Sequence, residues 1–115
     1  MKILTEKIPL NELKELDGEF FFDDIVKCVV DIDQGTISVS AELHADLEEY
    51  MLENGSSQKS LYGINIVFES GEIEFDSMIN PPRNRDAGYP RGGRDVCDPA
   101  ARDRITEIVD KWIER

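Results

Sequence analysis

The chain begins with a helical spacing of apolar residues and then changes to an alternating one. Leu10, Leu13 and Leu16 recur at helical intervals until Gly18 interrupts them. That spacing predicts a short helix near residues 10–17, with Phe20, Phe21 and Phe22 packed just after it. Residues 25–32 (IVKCVVDI) are a β-branched run, Asp33-Gln34-Gly35 supplies a turn, and residues 36–43 alternate polar and apolar, the signature of two paired strands. Residues directly opposite in an antiparallel pair share a face. A loop of even length sets Val30 against Ile37 and Cys28 against Val39, whereas an odd loop sets Val30 against Ser38. The four-residue loop 32–35, with Gly35 free to take positive φ, is therefore expected. One face then carries Val26, Cys28, Val30, Ile37, Val39 and Ala41, and the other Lys27, Asp31, Thr36, Ser38, Ser40 and Glu42.

Residues 44–53 read as a second helix stopped by Asn54-Gly55, and residues 55–59 as a linker. A second hairpin follows over residues 61–69 and 72–79 around Ser70-Gly71. A two-residue loop there pairs Phe68 with Ile73 and Ile66 with Phe75, and on the far face Asn65 with Asp76 and Val67 with Glu74. Glu69 then opposes Glu72. Residues 81–96 hold no periodic pattern and are rich in Pro, Gly and Arg, so they read as an irregular loop. The last element is a helix capped by Asp98 with Pro99 in first position, whose stripe is Ile105, Ile108, Val109, Trp112 and Ile113. The expected architecture is one α+β domain over residues 1–115, order α-β-β-α-β-β-α. Its four-stranded sheet is mainly antiparallel and made of two hairpins, apolar on the face that takes the last helix and polar on the other.

Charge sharpens this picture. The 115 residues carry a net charge of −12, which disfavours nucleic acid and anionic lipid as partners. Residues 1–80 hold five lysines, eighteen carboxylates and no arginine, and all seven arginines lie in residues 81–115. Arg83, Arg85, Arg91 and Arg94 sit in the irregular loop, where planar guanidinium forks suit carboxylates or phosphates. The plainer account is that they neutralise an acidic body. No window approaches the roughly 20 apolar residues of a membrane span, and the first residues lack a secretory signal's apolar stretch. A soluble cytoplasmic protein is the expectation. Cys28 alternates with Val26 and Val30 and reads as a buried apolar residue. Cys97, beside Asp98-Pro99 in a loop where a nucleophile could sit, has no histidine near it in sequence, and a single thiol without a base is weak evidence for catalysis.

The polar face offers Ser38, Ser40, Glu42, Asn65, Glu74 and Asp76. His44, the only histidine, follows Glu42 by two residues. With the hairpins adjacent, Glu42, His44, Asp76 and Asn80 converge beneath the arginines, a set suited to general acid–base work or to a divalent metal. The spacing E-x-H-x-D is no established metal motif, and no phosphate-loop, dinucleotide or nucleophile-elbow pattern is present. A lone histidine entering a helix is ordinarily a structural hydrogen-bonding group, and alternating carboxylates are ordinarily a solvated face.

The blocks Glu42-Leu43-His44-Ala45-Asp46 and Asp76-Ser77-Met78-Ile79-Asn80, with Val26 to Ile32, Gly55-Ser56, Tyr62-Gly63-Ile64-Asn65, Pro81-Pro82-Arg83 and Asp98-Pro99, resemble a family of small uncharacterised prokaryotic proteins. It is a domain of unknown function, so the resemblance implies a stand-alone cytoplasmic protein but supplies neither catalytic residues nor a cofactor to carry over.

Three functions are compatible with these observations. The favoured one is a binding module whose arginine-rich loop lies over the polar sheet face, with Asn65, Asn80, Arg83, Arg85, Arg91 and Arg94 holding a small anion or an acidic protein surface. The second is a hydrolase-type enzyme using Glu42, His44 and Asp76, with or without a divalent metal. The third is a homo-oligomer or protein-interaction domain that uses the open face or an edge strand.

Overall fold

The computed structural model describes residues 1–75 and 98–115. Strands β1 (Lys2–Ile3) and β2 (Ile8–Pro9) precede helix α1 (Leu10–Asp17), a 3₁₀ turn (Gly18–Phe20), and strands β3 (Ile25–Asp31) and β4 (Thr36–Val39). Helix α2 (His44–Glu53) and a second 3₁₀ turn (Gln58–Ser60) lead into β5 (Leu61–Val67) and β6 (Ile73–Glu74). Beyond the undescribed segment come helix α3 (Pro99–Trp112) and β7 (Ile113–Glu114). The fold is α+β, with a mainly antiparallel sheet. Its five described strands run in the order β1-β4-β3-β5-β6, and β2 pairs in parallel with β7 in a separate two-stranded ribbon. The two hairpins are thus neighbours, joined through β3 and β5. The short pairings of β1, β2 and β7 carry no periodic signal and were not expected.

The first hairpin has the expected register, with Val30 opposite Ile37 and Cys28 opposite Val39, and Gly35 takes φ 71°. The second keeps the expected parity but slides by two residues: Ile66 pairs with Ile73 and Asn65 with Glu74. Its loop is four residues long, with the Val67 N–H bonded to the Glu72 carbonyl at 2.9 Å. Both loops close alike, the last glycine's N–H reaching back four residues to Asp31 and to Val67. Gly71 takes φ 76°, so D-Q-G and F-E-S-G encode one turn type. A slip of two preserves sidedness, which is why hydrophobic pattern alone did not distinguish the two pairings. Glu69 lies in the loop and does not oppose Glu72.

The apolar face is built as expected. Val26, Cys28, Val30, Ile37, Val39, Tyr62, Ile64 and Ile66 bury against Leu13 of α1 and Ala101, Ile105, Ile108 and Val109 of α3, with Leu4, Ile8 and Ile113 closing the edges. Asp98 caps α3, its carboxylate accepting the Ala100 N–H at 3.0 Å. Trp112 is half-buried and donates its indole N–H to the Gly35 carbonyl at 2.7 Å. Ile113 begins β7 and does not extend the helical stripe.

The far face departs from expectation. It is not an open polar surface: α2 lies across one half and seals Val29, Ala41 and Leu61 beneath Leu47 and Met51. Ala41 therefore belongs to this second core and not to the Val26 face. Beneath the helix Asp31 and Ser38 are fully buried. The apolar stripe of α2 is only two side chains deep, Leu47 and Met51, so it covers the Val29–Leu61 half. The half-buried row Lys27, Asn65 and Glu74 lies beyond it.

Asp31 is satisfied where it is buried. Its carboxylate accepts the N–H groups of Asp33 and Gln34, each at 2.9 Å, and the Ser56 hydroxyl at 2.6 Å. Ser60 donates to the Asp33 carboxylate, and the Gln34 amide donates to the Gly55 carbonyl at 3.1 Å. The 32–35 loop is thereby tied to the linker after α2. Helix α3 holds the same loop from the other side through Arg104, whose Nε donates to the Ile32 carbonyl at 3.1 Å. Arg115 clamps the second hairpin through the Gly71 carbonyl at 2.7 Å. Arg102 stacks over Phe75, 4.8 Å from the ring centre. Three of the seven arginines thus serve the fold. Among the described residues no helix is long and apolar enough to cross a membrane.

Candidate functional site

Strand β3 extends three residues past the point where β4 leaves it. Ser40, immediately after β4, takes φ 72°, and its hydroxyl donates to the Leu16 carbonyl at 2.8 Å. The chain turns away, and Ile25, Val26 and Lys27 are flanked on that side by residues 20–22. These are joined to β3 by Asp23 and Asp24, at φ 58° and 62°, with the Ile25 N–H bonded to the Phe22 carbonyl at 3.1 Å. Two central residues of positive φ are the signs of a type I′ turn, which ordinarily recruits Asn or Gly. Asp24 is held in place by the next hairpin: its carbonyl accepts the Phe68 N–H at 2.8 Å and its carboxylate the Glu69 N–H at 3.3 Å. The described non-glycine residues with positive φ are these three: Asp23 and Asp24 directly follow Phe22, which lines a cleft, and Ser40 lines a second, shallower hollow. Strained backbone of this kind gathers at functional sites.

Along this segment side chains alternate. Phe21 packs toward the apolar core and meets Phe68 edge-on at 5.6 Å, with the Lys14 ammonium 4.8 Å from each ring. Phe20 and Phe22 instead line a cleft of about 590 Å³ together with Glu19, Lys27, Glu42 and Leu43. Phe22 is 76% exposed, so the expectation that all three phenylalanines pack in the core fails for it. A shallower hollow of about 280 Å³ shares Phe20 and Glu42 and adds Met1, Ser40, Ala41 and Asp46. Of the four large apolar side chains left exposed among the described residues, Met1, Phe22 and Leu43 line these two hollows, which is where a contiguous apolar patch has functional meaning.

The charges of the cleft are layered by depth. Glu19 and Glu42 at the rim are exposed, while Lys27 is half-buried, so water screens the carboxylates more than the ammonium. Helix α2 starts at the same wall. Leu43 is its N-cap residue and supplies no side-chain cap, which leaves the first N–H groups and the positive end of the helix dipole on this side. Near the cleft Asp17, at the end of α1, is 2% exposed, and neither carboxylate oxygen has a hydrogen-bond partner. Burial pushes its pKa up to about 6, opposed by the Lys27 ammonium and the Ser40 amide. Burial, reinforced by the Asp17 charge, also pushes the Cys28 thiol far up, so this free, buried cysteine is an inert core residue.

The residues singled out from the sequence divide three ways. Glu42 lines the cleft. His44 starts α2, and its Nε2–H donates to the Ile64 carbonyl at 2.8 Å, anchoring the helix to β5. Asn65 lies in the polar row beside Lys27, its amide 3.5 Å from Glu74 and its Oδ1 buried without a partner. Asp76, Asn80, Arg83, Arg85, Arg91, Arg94 and Cys97 lie outside the described residues. Among the described residues no group of three or more His, Cys, Asp or Glu is placed to hold a metal ion. Sequence reasoning missed Lys27, Phe20, Phe22, Glu19 and Asp17. One signal was present: three consecutive aromatic residues cannot all face one core.

No curated protein and no solved structure matches the chain. A family model does, over residues 2–112. The chain thus belongs to the family described as protein of unknown function (DUF5674).

Proposed function

We propose that the protein is a binding module whose cleft takes a small amphipathic molecule with a single anionic group, the anion near Lys27 and the apolar body against Phe20, Phe22 and Leu43. The observation that carries this reading is the coincidence, in one cleft, of a half-buried ammonium with an aromatic side chain left 76% exposed. The uncapped start of α2 adds positive potential to the same wall. The exposed Glu19 and Glu42 set the specificity: they repel additional negative charge, so polyphosphates and nucleic acid are disfavoured against a monoanion with an apolar body. The arginines of residues 83–94 can contribute to the same preference for anions, in keeping with their segregation in the chain. A hydrolytic role for His44 is less well supported, because its Nε2–H is bonded to a backbone carbonyl.

Anilinonaphthalene sulfonate, an aromatic monoanion whose fluorescence rises in apolar surroundings, is a suitable probe. Saturable binding to the natively folded chain is expected. Lys27→Met should weaken it about tenfold, the loss of one partly desolvated charge contact, and Glu42→Gln should tighten it. Equal binding by wild type and Lys27→Met, or weakening by Glu42→Gln, contradicts the assignment.

A further inference from the structure

We propose that ligand binding at this cleft is linked to a proton: Asp17 and the bound anion compete for the single Lys27 ammonium, so that protonating Asp17 releases that charge to the ligand. The inference rests on the binding function proposed above and adds its regulation.

The geometry is that of one cation between two claimants. Lys27 lines the cleft and is also the cation that acts on the buried Asp17 carboxyl. Neither Asp17 oxygen has a close hydrogen-bond partner; among the described residues the Ser40 amide is the one N–H group that, with Lys27, favours its ionised form, where an ordinary buried carboxylate is neutralised by two or three N–H donors. Among the described residues the groups that act on it are few. From β3 come the Lys27 ammonium and the un-ionised Cys28 thiol, and from the end of β4 the Ser40 amide. Glu19, two residues along, and Glu42 stand exposed at the rim. With Asp17 ionised, its negative charge offsets part of the attraction that Lys27 exerts on an anion, and two acidic groups stand above. With Asp17 neutral, that opposition is removed. Burial brings this change into the pH 5–7 range, far above where an ordinary aspartate titrates. Reciprocity follows: an anion beside Lys27 must raise the affinity of Asp17 for its proton by the same factor.

The test is a set of fluorescence titrations with anilinonaphthalene sulfonate, whose own charge is constant over this range, on protein with native near-ultraviolet circular dichroism at each pH. Wild type should bind about fivefold more tightly near pH 5 than near pH 7.5, and Asp17→Asn should bind with a nearly constant, tight affinity. His44→Gln should keep the wild-type slope, which separates Asp17 from the only imidazole. Should Asp17→Asn fold poorly, carbon NMR of the Asp17 carboxyl in wild type gives the same answer, its titration midpoint moving up when the probe saturates. Saturable binding with a flat wild-type profile, or a slope retained in Asp17→Asn, overturns the proton linkage and leaves the binding site standing. No saturable binding at any pH overturns both.

Discussion

Asp17→Asn is expected to make the protein more stable at neutral pH, by about 2 kcal/mol. Burial pushes the carboxyl from its ordinary 3.8 up to about 6 in the folded chain, so the folded state holds its proton more tightly than the unfolded state. The sign follows from linkage. Where the native state binds more protons, stability falls as pH rises, here between about pH 4 and pH 6, and the shift of about two units corresponds to about 3 kcal/mol at the plateau above pH 6. Asparagine removes the charge but leaves an amide in a pocket that offers the carboxylate no hydrogen bond, which reduces the gain to about 2 kcal/mol. Urea denaturation at a series of pH values measures it. Wild type should lose stability across that window, whereas Asp17→Asn should show a smaller loss and a higher midpoint at neutral pH. A protein that keeps an orphaned carboxylate at such cost has a reason to keep it, and the proton linkage proposed for the cleft supplies one.

Asp31→Ala should act in the opposite sense, lowering stability by about 3 kcal/mol. Asp31 is as deeply buried as Asp17, but its carboxylate accepts two backbone N–H groups and a hydroxyl. Alanine leaves those donors without their carboxylate and removes the Ser56 tie between the 32–35 loop and the linker. Asp31→Asn retains an acceptor for the two N–H groups and should lose only about 1 kcal/mol. Urea midpoints at constant slope report both variants. A loss below about 1 kcal/mol for alanine would mean that water satisfies the donors once the carboxylate is gone, against a structural role for Asp31. Two buried aspartates of opposite effect separate a structural carboxylate from one held for function.

How far the sequence led is clearest from β3 and β4. Val30, Cys28, Ile37 and Val39 left one register that buried all four, and Gly35 marked the residue that needed positive φ. The second hairpin was ambiguous for a physical reason: pairing Ile66 with Ile73 or with Phe75 buries apolar side chains equally, and loop length decides. The far face was misjudged because Val29 and Leu61, isolated apolar residues among polar ones, are matched only by Leu47 and Met51. That pairing is invisible until α2 is placed. The cleft was still less legible. It depends on Ser40 turning the chain out of β4 and on an Asp23-Asp24 turn of a type that local preference assigns to Asn and Gly. Glu42 and Asn65 were found because they are polar on a strand; Lys27 was on the right face yet passed over, its meaning coming from depth. The arginines of residues 102–115 show the converse, a compositional bias that in part reflects clamps on Ile32 and Gly71.

The account turns on where an amphipathic anion sits. Backbone proton–nitrogen correlation spectra recorded during a titration with anilinonaphthalene sulfonate locate it directly. The amides of Phe20, Phe22, Lys27, Glu42 and Leu43 should move together and saturate with one affinity, while Gly35, at the far tip of the first hairpin, stays still. Shifts centred on that tip or on α3, with the amide of Lys27 unmoved, would contradict it.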